Sequence, residues 1–505
     1  MKKTWLKYAM LWHRFLGIGI CLFFGIWFAS GVVMMYARMP ELSEADRLDH
    51  LPQLNLSSLH VSATTAVGSD NPLQRMTVGM LQDRPVYRVL DQMGQWSAIF
   101  ADDGSRVPRL NPKAAVDVVS QFSGNARDQL HWVEELKDVD QWTVYPASRP
   151  YLPFEVIAGD DAQATRYYVS ASTGSVYLTT TRRGRLLAWC GAIPHWWYIR
   201  ALRANTPLWR IVMIVASGIG VIMSIAGIIA GILRYSPSKR YRFPGPRNSS
   251  VPHIGMKRWH YILGYSFGFV TFTWIFSGLA SMNPGNWSPG PEASLSERQA
   301  FAGGPVEMRY FQTDLPAATS SLMGCLHPKE LELILFDDKP YYLGRQDSKT
   351  VRLLSGTRDA TNVCLSQVST EDVLAASSHV IAGSHVTDTA LLTSYDAYYY
   401  DRHDIKPLPV LRVRLDDARK TVLYVNPRTG LIEARYTNRS RLERWLYNGL
   451  HSLDFPFLYH HRPLWDITVI ALSIGGLLLS GTGIVLSFKY LRKSSKKRRQ
   501  PVRAT

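Results

Sequence analysis

Cysteine is scarce in this chain, four residues in 505, and no two of the four form a Cys-x-x-Cys pair or a ferredoxin-type set. That excludes an iron–sulfur cluster and a paired-cysteine zinc site. His-Glu-x-x-His is absent as well, and no Gly-x-Gly-x-x-Gly stands between a strand pattern and a helix pattern. Neither a zincin-type centre nor a resident dinucleotide is signalled, so any redox chemistry needs an external electron donor. Acidic residues are the other shortage: 40 stand against 57 Lys and Arg, for a formal charge of +17.

Four stretches have almost no charge: residues 15–36, 208–233, 261–282 and 464–490, the last with Asp466 at its outer edge. A helix of about 22 residues rises about 33 Å, enough to cross the hydrocarbon core of a bilayer. The first stretch follows Lys2, Lys3 and Lys7 like a secretory signal, but its apolar run is too long and no small-x-small cleavage site follows closely. Basic residues crowd the short flanks: Arg14 before the first span, Arg234 to Arg258 between the second and third, and Lys489 to Arg499 after the fourth. The positive-inside rule then puts both termini and the central link in the cytoplasm, and makes the basic excess a topology signal with no call for nucleic acid.

The chain divides accordingly into a cytoplasmic N-terminus with the first helix (1–37), a first outer region (38–205), a second helix (206–235), a cytoplasmic link (236–258), a third helix (259–283), a second outer region (284–460), a fourth helix (461–490) and a basic cytoplasmic tail (491–505). Each outer region is long enough to bury its own core and reads as mixed α and β. Residues 166–178 and 422–434 each read as strand, Thr-Gly turn and strand, while 113–123 and 362–378 read as helices packed on such sheets. Cys325 and Cys364 share the second outer region and can bridge in an oxidising compartment; their 39-residue separation leaves that open. Cys21 lies within the first span and Cys190 near the outer surface.

The chain also matches itself. Trp12-His13-x-x-x-Gly17 returns 247 residues later as Trp259-His260-x-x-x-Gly264, and Ser30-Gly31 as Ser277-Gly278. At an offset of 256, Pro153, Tyr168, Thr173-Gly174, Arg185, Trp189, His195 and Pro207-Leu208-Trp209 return as Pro409, Tyr424, Thr429-Gly430, Arg441, Trp445, His451 and Pro463-Leu464-Trp465. This is a tandem duplication in parallel orientation, with a pseudo-twofold axis along the membrane normal. His13 and His260, each at the cytoplasmic start of a copy's first helix, can meet across that axis, and His195 and His451 can do so near the outer surface.

Two opposed imidazoles across an apolar gap suit one metal–porphyrin plane. Gly17 and Gly264 lie four residues beyond the histidines on the same helix face and leave room for a flat macrocycle. Arg14 with Arg258 or Lys257 suits haem propionates at the headgroup level. Zinc would want three or four ligands, which neither layer offers compactly. Interfacial packing is the plainer reading of Trp-His at a helix end, and duplication copies structural residues too. His460 and His461, without partners at the 256 offset, are reserve ligands or a bridge to substrate; His403 and Tyr399, in the Tyr-rich run 395–403, are candidates on the substrate side, with a packed core strand as the alternative.

With Trp12-His13-Arg-Phe-Leu-Gly17, Trp259-His260-Tyr-Ile-Leu-Gly264, the two Ser-Gly span ends, Tyr395-Asp-Ala-Tyr-Tyr-Tyr-Asp-Arg-His403 and Tyr424-Val-Asn-Pro-Arg-Thr-Gly430, the chain resembles the PepSY-associated transmembrane family, which includes iron-regulated membrane proteins and the ferrisiderophore reductase type. The resemblance spans nearly the whole chain. It implies an α-helical membrane protein of the bacterial inner membrane, with four transmembrane helices in two tandem parallel repeats and two α+β PepSY-like periplasmic regions. In reductase members it implies b-type haem, here two, on the positions matching His13, His260, His195 and His451. The expected activity is haem-dependent electron transfer from a cytoplasmic or membrane donor, a protein or a quinol, to a periplasmic ferric chelate, a ferrisiderophore by resemblance. The main rival is a non-redox PepSY-type module that binds a peptide or modulates a protease. A solute transporter is disfavoured by the few polar residues in the spans and the lack of an inverted repeat.

Overall fold

The computed structural model describes residues 2–244, 248–313, 315, 324–357, 364–402 and 404–498. The first half of the chain runs through α1 (Lys2–Met34), α2 (Glu44–His50), β1 (Leu73–Leu81), β2 (Arg84–Asp91), β3 (Trp96–Phe100), α3 (Pro112–Ser123), β4 (Leu130–Leu136), β5 (Phe154–Gly159), β6 (Arg166–Ser170), β7 (Val176–Thr180), α4 (Ala192–Trp196) and α5 (Thr206–Arg234). The second half follows with α6 (Gly255–Ser281), α7 (Leu295–Ala302), β8 (Glu330–Phe336), β9 (Lys339–Arg345), β10 (Val351–Ser355), α8 (Thr370–His379), β11 (Val386–Leu392), β12 (Val410–Leu415), β13 (Val422–Asn426), β14 (Leu431–Tyr436), α9 (Leu450–Ser452) and α10 (Leu464–Arg498). These form two compact units: Met1–Met39, Leu186–Ser288 and Leu442–Thr505 in one, Pro40–Arg185 and Pro289–Arg441 in the other.

The first unit contains α1, α5, α6 and α10, the four helices long and apolar enough to cross a membrane, and the chain is a multi-pass membrane protein. Several of their hydroxyls are satisfied within the helix, as suits an apolar solvent: Ser30 donates to the Ile26 carbonyl, Thr271 to Phe267, Ser473 to Val469 and Ser480 to Gly476. α1 packs on α5, α5 on α6, α6 on α10 and α10 back on α1, so the ring closes with α1 and α6 on its diagonal. The unit also takes in residues 186–205 and 442–460, where the short α4 and α9 fold onto the long helices.

The second unit is built from three antiparallel sheets. β4-β5-β6-β7 and β11-β12-β13-β14 are four-stranded and alike in order, and the hairpins expected around Thr173-Gly174 and Thr429-Gly430 are β6–β7 and β13–β14. The helix expected over 113–123 is α3. The one expected over 362–378 starts later, at Thr370, because the Ser369 hydroxyl caps it by accepting the Asp372 N–H, while Leu365 and Val368 before it are tied to Leu353 and Pro427 by backbone bonds; residues 362 and 363 lie outside those described. Cys325 and Cys364 are joined in a disulfide.

Each outer region buries an apolar core of its own, as expected, and a further core is shared between them. The third sheet runs β10-β9-β8-β1-β2-β3, so strands from both halves of the chain meet at the β1–β8 pair, with Thr77 opposite Glu332. One of its faces carries an apolar cluster drawn from both segments, including Leu56, Met76, Val78, Tyr87, Leu331, Leu333 and Tyr342. The other face holds buried ion pairs at the same junction. Arg75 meets Glu332 at 2.8 Å, Arg345 also pairs with Glu332, and Arg47 grips Glu330 through two bonds of 2.8 and 2.9 Å. Burial alone would raise the Glu332 carboxyl, but Arg345 and Arg75 outweigh it and hold the group down at about 2.

Breaking a buried pair leaves an uncompensated charge. Glu332→Gln should therefore lower the unfolding free energy by about 3–5 kcal/mol, measured by chemical denaturation of the detergent-solubilised protein. Because the folded carboxyl lies below its unfolded value of about 4.3, its contribution is present above that pH and is lost as pH falls toward the folded value. Wild type should then lose stability across this window, and the loss should be smaller in Glu332→Gln.

Candidate histidine pairs of the helical unit

Four of the sequence-singled histidines meet in two pairs. His13 from α1 faces His260 from α6 with ring centroids 5.9 Å apart, and His195 from α4 faces His451 from α9 at the same 5.9 Å. The first pair spans the diagonal of the helix ring. His13 does not stand at a helix start as expected: α1 begins at Lys2, so the residue lies three turns in.

In each ring Nδ1 is committed. His13 donates to the Met223 carbonyl on α5 at 3.1 Å, and His260 to the Thr482 hydroxyl on α10 at 2.9 Å, a hydroxyl whose own proton goes to the Leu479 carbonyl. His195 donates to the Trp27 carbonyl at 3.2 Å and the Ser30 oxygen at 3.1 Å, while His451 donates to the Trp274 carbonyl at 3.0 Å and the Ser277 oxygen at 3.1 Å. A carbonyl only accepts, so the proton sits on Nδ1 and the lone pair is left on Nε2. Burial, then the adjacent His451 ring, hold the His195 imidazole far below its ordinary value, at about 3, which keeps it neutral.

Small residues make room for each ring. A Cβ on Gly227 of α5 would come within 2.6 Å of His13 Cε1, and one on Gly483 of α10 within 3.6 Å of His260 Cε1. Gly31 and Gly278 stand in the same way against His195 and His451, at 3.4 and 3.7 Å. The turns that carry His195 and His451 end in the left-handed residues Trp197 and Leu453, with φ of 53° and 54°. They are pinned by indole N–H groups: Trp209 donates to the Trp196 carbonyl at 2.7 Å, and Trp465 to the Ser452 carbonyl at 2.9 Å. The repeated Pro-Leu-Trp thus positions the histidine-bearing turn as well as opening the helix.

Sequence reasoning missed the receiving carbonyls and the glycines Gly227 and Gly483. Their signal was available, since Gly227 and Gly483, like Met223 and Leu479, are spaced by the same 256 residues as His195 and His451.

The remaining candidates lie elsewhere. Arg14 stacks over the Tyr490 ring at 5.7 Å, and Arg258 reaches the Ser249 hydroxyl at 3.3 Å. A Cβ at Gly17 would meet nothing within 4 Å, and one at Gly264 would touch only Leu479, at 3.7 Å. His460 lies on Tyr459 with centroids 4.1 Å apart, and His461 donates to the Phe457 carbonyl at 2.8 Å; both are exposed. His403 lies outside the described residues. Tyr399 has a packing place: fully buried, it stacks on Tyr424 at 5.1 Å and donates its hydroxyl to the Pro407 carbonyl at 2.8 Å.

Among the described residues no three His, Cys, Asp or Glu side chains are grouped to hold a metal ion. Each pair offers two imidazole nitrogens, a number that would suit a metal whose other positions a macrocycle fills. With metal–imidazole bonds of about 2 Å and a ring centre about 1 Å behind its nitrogen, two axial imidazoles stand about 6 Å apart, and both pairs meet that spacing. No family model matches the chain, and no curated protein matches it.

The packing role of Tyr399 has a measurable consequence. Tyr399→Ala should destabilise the sheet unit by about 3–5 kcal/mol and Tyr399→Phe by about 1 kcal/mol, read from denaturation midpoints. A Tyr399→Ala variant of unchanged stability would return the residue to the substrate side.

Proposed function

We propose that the chain is a bacterial inner-membrane electron conduit that holds two b-type haems, one per histidine pair, and reduces a periplasmic ferric chelate, of which a ferrisiderophore is the family-type case. The observation that carries this reading is the fourfold arrangement of imidazoles: two facing pairs at 5.9 Å, each ring with Nδ1 bound and its lone pair on Nε2. Second hydrogen bonds of this kind orient metal-binding histidines and raise their basicity. The reading includes tandem duplication, which the matched partners Met223 and Leu479, Trp27 and Trp274, and Ser30 and Ser277 support. It also includes the cytoplasmic placement of both termini, supported by the basic flanks and by the Cys325–Cys364 disulfide, which suits an oxidising compartment for the sheet unit.

His13 and His260 would hold one haem, His195 and His451 the other. When bound, haem supplies a one-electron Fe(III)/Fe(II) couple that neither imidazole nor peptide offers. The protein's part is to fix the ligands. Ser30 and Ser277 brace two of the rings, Trp209 and Trp465 hold the turns that carry them, and the glycines keep the approach clear. Arg14 and Arg258 are the cations proposed for the propionates. One electron from a cytoplasmic donor or a membrane quinol, delivered to a ferric chelate, yields Fe(II) with no bond of the organic ligand broken. The softer, less charged ion then leaves hard oxygen donors more readily.

A second reading, a non-redox module that binds a peptide by strand addition, draws support from β4, an edge strand whose residues 131–134 are exposed.

The test is anaerobic mixing of dithionite-reduced, desalted protein with ferric citrate and a ferrous trap. Reoxidation with one Fe(II) formed per electron lost, abolished by His195→Ala or His451→Ala, supports the conduit; reduced protein that does not reoxidise contradicts it. Gly227→Val should displace His13 and lower haem content by about one per chain. Gly218→Val on the same helix, where a Cβ meets nothing within 4 Å, should leave haem content unchanged.

A further inference from the structure

The two halves of the six-stranded sheet share a framework but are filled differently. The β1–β8 pairing relates Thr77 to Glu332 by a local twofold. Thr77 pairs with Arg88 and Glu332 with Leu343, so Arg88 and Leu343 occupy matching places, as do Gly79 and Ile334, and Leu81 and Phe336. In the β8–β9 half, Ile334, Phe336 and Leu343 close on Phe301 and Val373 as apolar core. In the β1–β2 half Leu81 and the cationic Arg88 line a cavity of 270 Å³, and the only neighbour of a Cβ on Gly79 closer than 3.5 Å would be Arg88 Nη1, at 3.0 Å. The β1–β2 half has its own apolar packing on this face, where Leu81 and Val86 meet Val118, but it leaves a cavity beside Arg88.

Arg88 is only 9 % exposed, yet among the described residues no carboxylate forms an ion pair with it. Its Nε donates to the Thr173 carbonyl at 3.0 Å and its Nη2 to the Met80 carbonyl at 3.1 Å; among the described residues Nη1 has no hydrogen-bond partner. The neighbouring carboxylates are engaged elsewhere, Glu330 by Arg47 and Glu332 by Arg75 and Arg345. A buried cation served only by carbonyls is under-compensated. Burial pushes its guanidinium down to about 10, with Glu330 working against that and Arg47 adding to it, so Arg88 stays charged at neutral pH. Across the cavity runs an aromatic wall: Trp96 and Tyr151 have ring centroids 5.4 Å apart, and Tyr151 and Tyr177 4.7 Å. The exposed rim of Glu44, His50, Gln82 and Gln121 leaves a way in.

We propose that this cavity binds a small aromatic carboxylate, its carboxylate on Arg88 Nη1 and its ring against Trp96, Tyr151 and Tyr177. A single unpaired cation calls for a monoanion, the stacked wall for a flat body, and the volume for roughly a dozen non-hydrogen atoms. The inference goes beyond electron transfer and stands whether or not the histidine pairs hold haem.

Isothermal titration of the purified full-length protein with benzoate tests it, with benzamide and cyclohexanecarboxylate as the neutral and non-aromatic comparisons. The expected result is saturable one-to-one binding of benzoate, at least tenfold weaker for benzamide and in Arg88→Met, and several-fold weaker for cyclohexanecarboxylate. Gly79→Ala is the second variant: its methyl would lie 3.0 Å from Arg88 Nη1 and should weaken binding even if Arg88→Met fails to fold. Absence of saturable heat in wild type, benzamide binding as tight as benzoate, or undiminished affinity in a folded Arg88 or Gly79 variant would overturn the proposal, leaving a water-filled cavity. Equal affinity for cyclohexanecarboxylate would overturn the aromatic part.

Discussion

The helical unit depends on one interaction, a histidine Nδ1–H donated to a backbone carbonyl of a neighbouring helix or, for His260, to a hydroxyl bonded to such a carbonyl. A helix carbonyl already accepts the bond from four residues on and still has a second lone pair, so the long helices offer these acceptors without breaking their own ladders. The donation does three things together. It satisfies a polar group in surroundings where water is excluded, it selects the tautomer, and it sets where each ring stands relative to the opposite one. Met223, Trp27 and Trp274 perform this role through their main chains, which is why residue type at these positions says little about it.

The sheet unit is organised by a different constraint. Its central strand pair joins two segments far apart in sequence, and the junction carries carboxylates shared among arginines on one face and apolar packing on the other. Such pairs add little net stability over an apolar core, but they penalise any register that separates them. Thr77 opposite Glu332 is thereby tied to Arg75 and Arg345, and a one-residue slip would place these charges on the apolar face. The same local symmetry exposes where the halves differ, at Gly79, Leu81 and Arg88.

Much of this was legible from residue patterns, and the reasons are specific. Long uncharged runs marked the four helices because a bilayer tolerates little else, and Thr-Gly between alternating strands marked β6–β7 and β13–β14. The recurrence of Trp-His and of His195 with His451 marked both pairs. Three features left weaker traces. The β1–β8 pair joins positions 255 residues apart, and antiparallel pairing across that distance has no local signature. Carbonyl acceptors are common to every residue. Tyr399, in a run rich in polar rings, is decided by burial, since its hydroxyl finds the Pro407 carbonyl inside the core. The late start of α8 was readable after all, in a serine three residues before an aspartate.

The central claim is that two facing imidazole pairs each hold one haem. A visible spectrum of the detergent-purified protein before and after dithionite, with haem quantified per chain for wild type, His13→Ala and His195→Ala, addresses it directly. The account predicts a Soret band, sharpened reduced α and β bands, near two haems per chain and a loss of about one in each variant. A colourless protein from haem-replete cells would contradict it and move the reading to a non-redox binding module.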